Sequence, residues 1–168
     1  SGLQAGISNS ISANSATIGE AMEKLVNIPL QFEPGSAMLY SNLNSDLLGY
    51  LIEVVSQQTL AEFFEARIFD PLEMKDTSFF VPEQKLDRLT TVYTLKNNGL
   101  KPLVNNVYVF KETYLSGGGG LYSTINDYSR FLQMLLNQGQ LISKDSQTVI
   151  QVAEAKTRRR AARDREVL

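Results

Sequence analysis

The sequence has no cysteine, no histidine and no tryptophan. Without cysteine there is no disulfide frame, no thiolate nucleophile and no thiolate metal site, and the redox compartment is not written in the chain. Without histidine a Ser-His-Asp triad is excluded, as are the usual zinc sites. Any general base must be Asp, Glu, Lys or Tyr. No EF-hand loop or comparable carboxylate grouping offers a calcium or magnesium site, so no metal and no cofactor is expected. No apolar run approaches the ~18 residues that cross a bilayer, and no secretory signal pattern opens the chain, which leaves the compartment undefined.

What is present is a chain of 168 residues, 43% apolar and 20% charged, the balance of a globular protein with one real core. It opens on Ser1 rather than Met, which reads as a processed chain or a portion of a longer one. The net charge of −2 hides an asymmetry. Residues 1–155 hold 10 basic and 16 acidic side chains, whereas residues 156–168 hold 6 basic and 2 acidic. The acidic body argues against nucleic acid as a partner. The tail, KTRRRAARDREVL, is distinct in character and reads as an extension or a non-native segment.

The periodicity predicts a mainly α chain with a small β element, in the α+β class. The opening sixteen residues, small and polar, read as loop. A helix is expected over 17–27, where Thr17 and Glu20 have capping-box spacing and Ile18, Ala21, Met22 and Leu25 share a face. A second is expected from Asn42 to Ser56, apolar on more than one face and therefore mostly buried, with Asn42 able to act as its N-cap. A third starts at Thr59, with Glu62 completing another capping box, and ends before Pro71. The pieces TSFFV, LTTVYTL and NNVYVF between 72 and 115 read as small strands, with KNNG as a turn. A fourth helix follows SGGGG, started by Thr124 and Asp127, striped by Ile125, Tyr128, Phe131, Leu132, Leu135 and Leu136, and closed by Gly139 at C′. A last helix begins near Ser143. SGGGG is not a phosphate loop, because Leu-Tyr-Ser-Thr follows it instead of Gly-Lys-Ser/Thr. The Phe-rich stretch at 63–80 reads as core.

The blocks PLQFEPGSAMLYSNLNSDLLGYLIEVVS, FDPLEMKDTSF and SGGGGLYSTINDYSRFLQMLLNQG, with SGL at residues 1–3, resemble the serine β-lactamase-like family over about residues 1–150. The branch is that of class C β-lactamases, related esterases and penicillin-binding-protein-like peptidases. The resemblance implies the helical domain of that fold without most of its sheet. It implies acyl-enzyme hydrolysis of an ester, lactam or peptide by a serine in a Ser-x-x-Lys turn. By position, Tyr40 of YSN would be the proton-transfer residue, Asn42 the orienting amide, and Gly118, Gly119 and Gly120 the loop bordering the substrate cleft.

Two parts of that machinery have no counterpart in the sequence. No serine has a lysine three positions later, and no Lys-Ser/Thr-Gly occurs; the nearest string is Lys156-Thr157-Arg158. Gln57 stands where the family usually has a glycine after VVS. A phenol of ordinary pKa, about 10, is protonated at neutral pH unless cations lower it. The expectation is therefore a single substrate-side domain over 1–155, truncated relative to the family and catalytically silent alone, with Tyr40 and Asn42 as vestiges of a catalytic pair. The alternative is a non-enzymatic binding or self-association module, taking a small acyl ligand in a residual cleft or forming a homo-oligomer through apolar surface left by the missing sheet.

Overall fold

A computed structural model of the chain describes residues 2–4, 6–96, 99–102 and 113–140. These fall into two compact units, one of residues up to Phe64 with Ser78–Tyr122, the other of Glu65–Thr77 with residues from Ser123 onward. In the first unit α1 spans Ser8–Ala13, α2 Ile18–Val26, α3 Asn42–Ser56 and α4 Leu60–Phe64. A 3₁₀ turn at Glu83–Arg88 and an antiparallel hairpin of β1 (Tyr93–Lys96) and β2 (Gly99–Pro102) follow. The second unit holds a π turn at Glu65–Phe69 and the helix α5, Ile125–Leu136.

Local chemistry sets most of these boundaries. Thr17 caps α2 by accepting from the Glu20 N–H, and the Glu20 carboxylate reaches back to the Ala16 N–H at 2.8 Å, one residue beyond the usual capping-box partner. Before α4 the exchange is reciprocal: the Thr59 N–H and hydroxyl each donate to Glu62 at 2.8 Å, while the Glu62 N–H donates to Thr59 Oγ1 at 3.2 Å. Those bonds, the backbone one first, hold the Glu62 carboxyl below its usual pKa. Thr124 caps α5 by accepting from the Asp127 N–H. At the far end of α5 the residue at C′ is Gln138, not Gly139: Gln138 takes φ 60° and Gly139, φ 85°, is one step beyond. Their N–H groups donate to Leu135 and Met134, the bond pattern of a Schellman motif.

Three further expectations are corrected. The opening is not all loop, because Ser8–Ala13 is helical. That helix has no side-chain cap, and what anchors it is Ile11, buried with Ala21, Met22, Leu25, Leu43 and Tyr114 in the main core. Asn42 is not the N-cap of α3; Ser41 holds that position and spends its hydroxyl on the Gln4 carbonyl, 3.2 Å away. Nor is α3 mostly buried. Leu43, Asp46 and Gly49 form its inner face, whereas Leu48, Leu51, Val54 and Val55 are exposed, Val55 at 83%. The apolar residues surround the helix, but its described neighbours cover only one side. The stripe on α5 behaves likewise: Ile125, Tyr128, Leu132, Leu135 and Leu136 are exposed and Met134 is buried.

The strands that flank Asn97 and Asn98 do pair, in register Lys96↔Gly99, with Gly99 at φ 101°; those two residues themselves lie outside the described ones. The second strand is Gly99–Pro102; NNVYVF, the expected helix from Ser143 and the basic tail lie outside the described residues. TSFFV contributes a single bridge, Ser78↔Tyr122. Phe79 is core, buried with Leu60 and Leu115, and its ring stacks on Phe64 at 6.0 Å. Among the described residues no helix is long and apolar enough to cross a membrane.

Candidate functional site

Tyr40 ends the turn-rich segment that follows Pro34-Gly35, and Asn42 begins α3. The Tyr40 hydroxyl donates to Asn42 Oδ1 at 2.8 Å, and Tyr40 is 72% exposed. Packing does not fix this pair; its footing does. Ser41, between them, is buried and tied to Gln4. The Gln4 amide in turn donates to the Pro29 carbonyl at 3.2 Å, and the Gln31 N–H donates to the Gly2 carbonyl at 2.8 Å. A polar pair thus stands on solvent-facing ground with a rigid backbone beneath it. Because Oδ1 receives the phenol proton, the Asn42 amide N–H₂ is left as a donor for something else.

The glycine loop comes to the same place. A Cβ on Gly118 would lie 3.3 Å from the Asn42 carbonyl oxygen, so the loop rests against the first turn of α3. Gly117 is closer still: its Cβ would sit 2.3 Å from the Ser45 carbonyl oxygen, a separation no side chain tolerates. Gly120 would meet the Phe79 ring and the Ser116 carbonyl at 2.9 Å, whereas Gly119 faces open space. Tyr40, Asn42 and Gly118, named from the sequence alone, are therefore neighbours in the fold.

One buried residue of this cluster was not visible in that reading. Asp46, four residues after Asn42, is 2% exposed. Its carboxylate accepts from the Tyr114 hydroxyl at 3.0 Å, the Ser116 hydroxyl at 2.8 Å and the Gly118 N–H at 3.2 Å. Burying a carboxylate is costly unless donors replace its water, and three donors do so here. The Gly118 N–H also reaches Ser116 Oγ at 3.1 Å. Burial, then the Asp46 charge and the hydrogen bond to it, push the Tyr114 phenol well above its ordinary pKa, so Tyr114 acts as a fixed neutral donor. The available signal was an acid set among Leu43, Leu47 and Leu48 in the first turns of α3, since acids are almost never fully buried unless partnered.

Comparison with known proteins settles the lineage. A family model described as Beta-lactamase matches residues 1–167. The chain belongs to the beta-lactamase family. An Escherichia coli (strain K12) protein named "Putative D-alanyl-D-alanine carboxypeptidase" is 31% identical over 137 residues, covering 72% of this chain and 32% of that protein. Among solved structures, FmtA from Staphylococcus aureus matches with TM-score 0.66 at 24% identity, over 82% of this chain and 38% of FmtA. The octameric penicillin-binding protein homologue from Pyrococcus abyssi matches with TM-score 0.62 at 21% identity, over 81% of this chain and 32% of that one. This beta-lactamase-family chain thus spans about a third of the length of the curated relatives it matches. The helix-rich fold with its small two-stranded sheet has its structural neighbours among beta-lactamase-fold proteins.

Proposed function

We propose that this chain forms the helical, substrate-side wall of a serine acyl hydrolase of the beta-lactamase family, and that it is catalytically silent alone. The observation that carries the reading is the seating of the Gly118–Gly120 loop against Asn42, itself hydrogen-bonded to Tyr40, in a sequence without Ser-x-x-Lys or Lys-Thr-Gly. The arrangement can orient an acyl group. The free Asn42 amide would donate to a substrate carbonyl, and the bare backbone at Gly119 would let an extended substrate lie close. Residues 1–155 would make up this part, and the reaction class is acyl transfer to water from an ester, lactam or peptide. Tyr40 would serve proton transfer. The name of the E. coli relative supports a peptide carbonyl as the group to be held. Hydrolysis of a chromogenic cephalosporin and of a nitrophenyl ester by the purified chain tests the proposal: the expected rate equals that of buffer, and turnover abolished by Tyr40→Phe would overturn the silence.

A second reading is favoured by one surface. Leu48, Leu51 and Val55 line a single exposed face of α3, and Val54 lies beside them. Exposed apolar patches of more than a few hundred Å² usually mark an interaction site. The Pyrococcus abyssi homologue of this fold is an octamer. Self-association through α3 accordingly accompanies, or replaces, ligand binding. Light scattering tests it: assembly is expected at high concentration and is lost in Leu51→Lys, whereas a wild-type monomer at all concentrations contradicts it.

A further inference from the structure

We infer that Asp46 is the positioning residue of this site: its carboxylate, rather than packing of the loop, sets where Gly118 and Gly119 stand relative to Asn42. The inference rests on the substrate-side reading above for its functional meaning, but its geometry stands independently. Asp46 lies one helical turn after Asn42, so both project from the same stretch of α3. The loop touches α3 at two kinds of contact. Gly117 and Gly118 set their backbones against Ser45 and Asn42, contacts that limit approach but involve no hydrogen bond. The attraction comes from Asp46, which holds Ser116 at 2.8 Å and Gly118 at 3.2 Å through one oxygen, Oδ1. Its other oxygen, Oδ2, holds Tyr114 at 3.0 Å, and Tyr114 is itself locked in the main core.

The loop residues cannot hold themselves there. Gly117, Gly118 and Gly119 carry no side chains, and Gly118 and Gly119 are exposed. Leu115, just before the stretch, packs in a cluster with Leu60, Phe79 and Ile52 of α3, but apart from the carboxylate the described hydrogen bonds of the glycines themselves are internal: Gly118 N–H to Ser116 Oγ at 3.1 Å and Gly120 N–H to the Ser116 carbonyl at 3.2 Å. These fix the shape of the turn but not its distance from α3. Asp46 fixes the distance. Buried as it is, the carboxylate acts through Gly118.

Amide exchange on the ¹⁵N-labelled full chain tests this, with Leu25 in α2 as the reporter of overall opening. Asp46→Asn keeps the size of the side chain but removes the charge and cannot serve three donors. It is expected to speed Gly118 exchange by about tenfold beyond any change at Leu25. Ser116→Ala removes one attachment while leaving the carboxylate, keeps the test open where Asp46→Asn fails to fold, and should show a smaller change of the same selective kind. Exchange at Gly118 that merely follows Leu25 in both variants overturns the inference. A titration with N-acetyl-D-alanyl-D-alanine separates it from the functional reading. Shifts at Asn42 and Gly119 in the wild type that weaken in Asp46→Asn support both. Selective loss of Gly118 protection with no wild-type shifts upholds Asp46 and removes the substrate-side reading. Wild-type shifts unchanged in both variants, with Gly118 following Leu25, do the reverse.

Discussion

Replacing Gly117 by alanine forces a choice between the loop and α3. The new Cβ would stand 2.3 Å from the Ser45 carbonyl oxygen and 2.9 Å from its carbon. An ordinary carbon to oxygen contact is about 3.3 Å or more, so one side must retreat by about 1 Å. The helix cannot, since Leu43 and Asp46 on either side of Ser45 are buried. The loop must lift, and the Gly118 bond to Asp46, already 3.2 Å long, is the first to fail. Losing a hydrogen bond to a charged group costs about 1.5–3 kcal/mol, and residual crowding keeps the total near 2–4 kcal/mol. Urea denaturation followed by circular dichroism reads this as a midpoint lowered by about 1–2 M at an unchanged slope. Gly119→Ala is the internal control. Nothing lies within 4 Å of its Cβ and its φ is not positive, so it should be neutral or stabilising by about 0.5 kcal/mol. Equal effects at 117 and 119, or a neutral Gly117→Ala, would refute the close approach on which the site is built.

Other outcomes follow from the same contacts. Thr124→Ala removes the cap of α5 and should cost about 1 kcal/mol in thermal or urea denaturation. Gln57 ends α3 at φ 58°, where the family usually has glycine. The left-handed penalty of about 1–2 kcal/mol exceeds what glycine adds to unfolded-chain freedom, so Gln57→Gly should stabilise by about 0.5 kcal/mol, measured the same way. Because the Tyr114 phenol is raised, the folded chain keeps a proton that the unfolded chain releases near pH 10. Its contribution is therefore complete below pH 10 and declines above it, by at most about 1.4 kcal/mol per pH unit, and Tyr114→Phe should flatten that decline in urea titrations at pH 9–11.

What could be read from the sequence was what is decided locally. Thr17, Thr59 and Thr124 mark helix starts because each cap closes within three or four residues, and the folded chain uses all three. The span of α3 was legible for the same reason, from Asn42 to Ser56. Its burial was not, because periodicity reports which residues are apolar and not which neighbours arrive to cover them. Helix α1 escaped notice since it has no side-chain cap and is anchored through Ile11 against elements further along the chain. The site divides in the same way. Tyr40 and Asn42 are two residues apart and were found together, while the partners of Asp46 lie 68 to 72 residues away. No pattern of spacing announces a carboxylate whose donors come from another segment.

The central claim is that the Tyr40–Asn42 pair and its glycine loop orient a carbonyl but hold no nucleophile for it. Intact-mass spectrometry of the chain after prolonged exposure to a β-lactam and to a fluorophosphonate, each in excess, tests this directly. An unchanged mass with both reagents is the expected result. A stoichiometric adduct mapped to any one serine would contradict it.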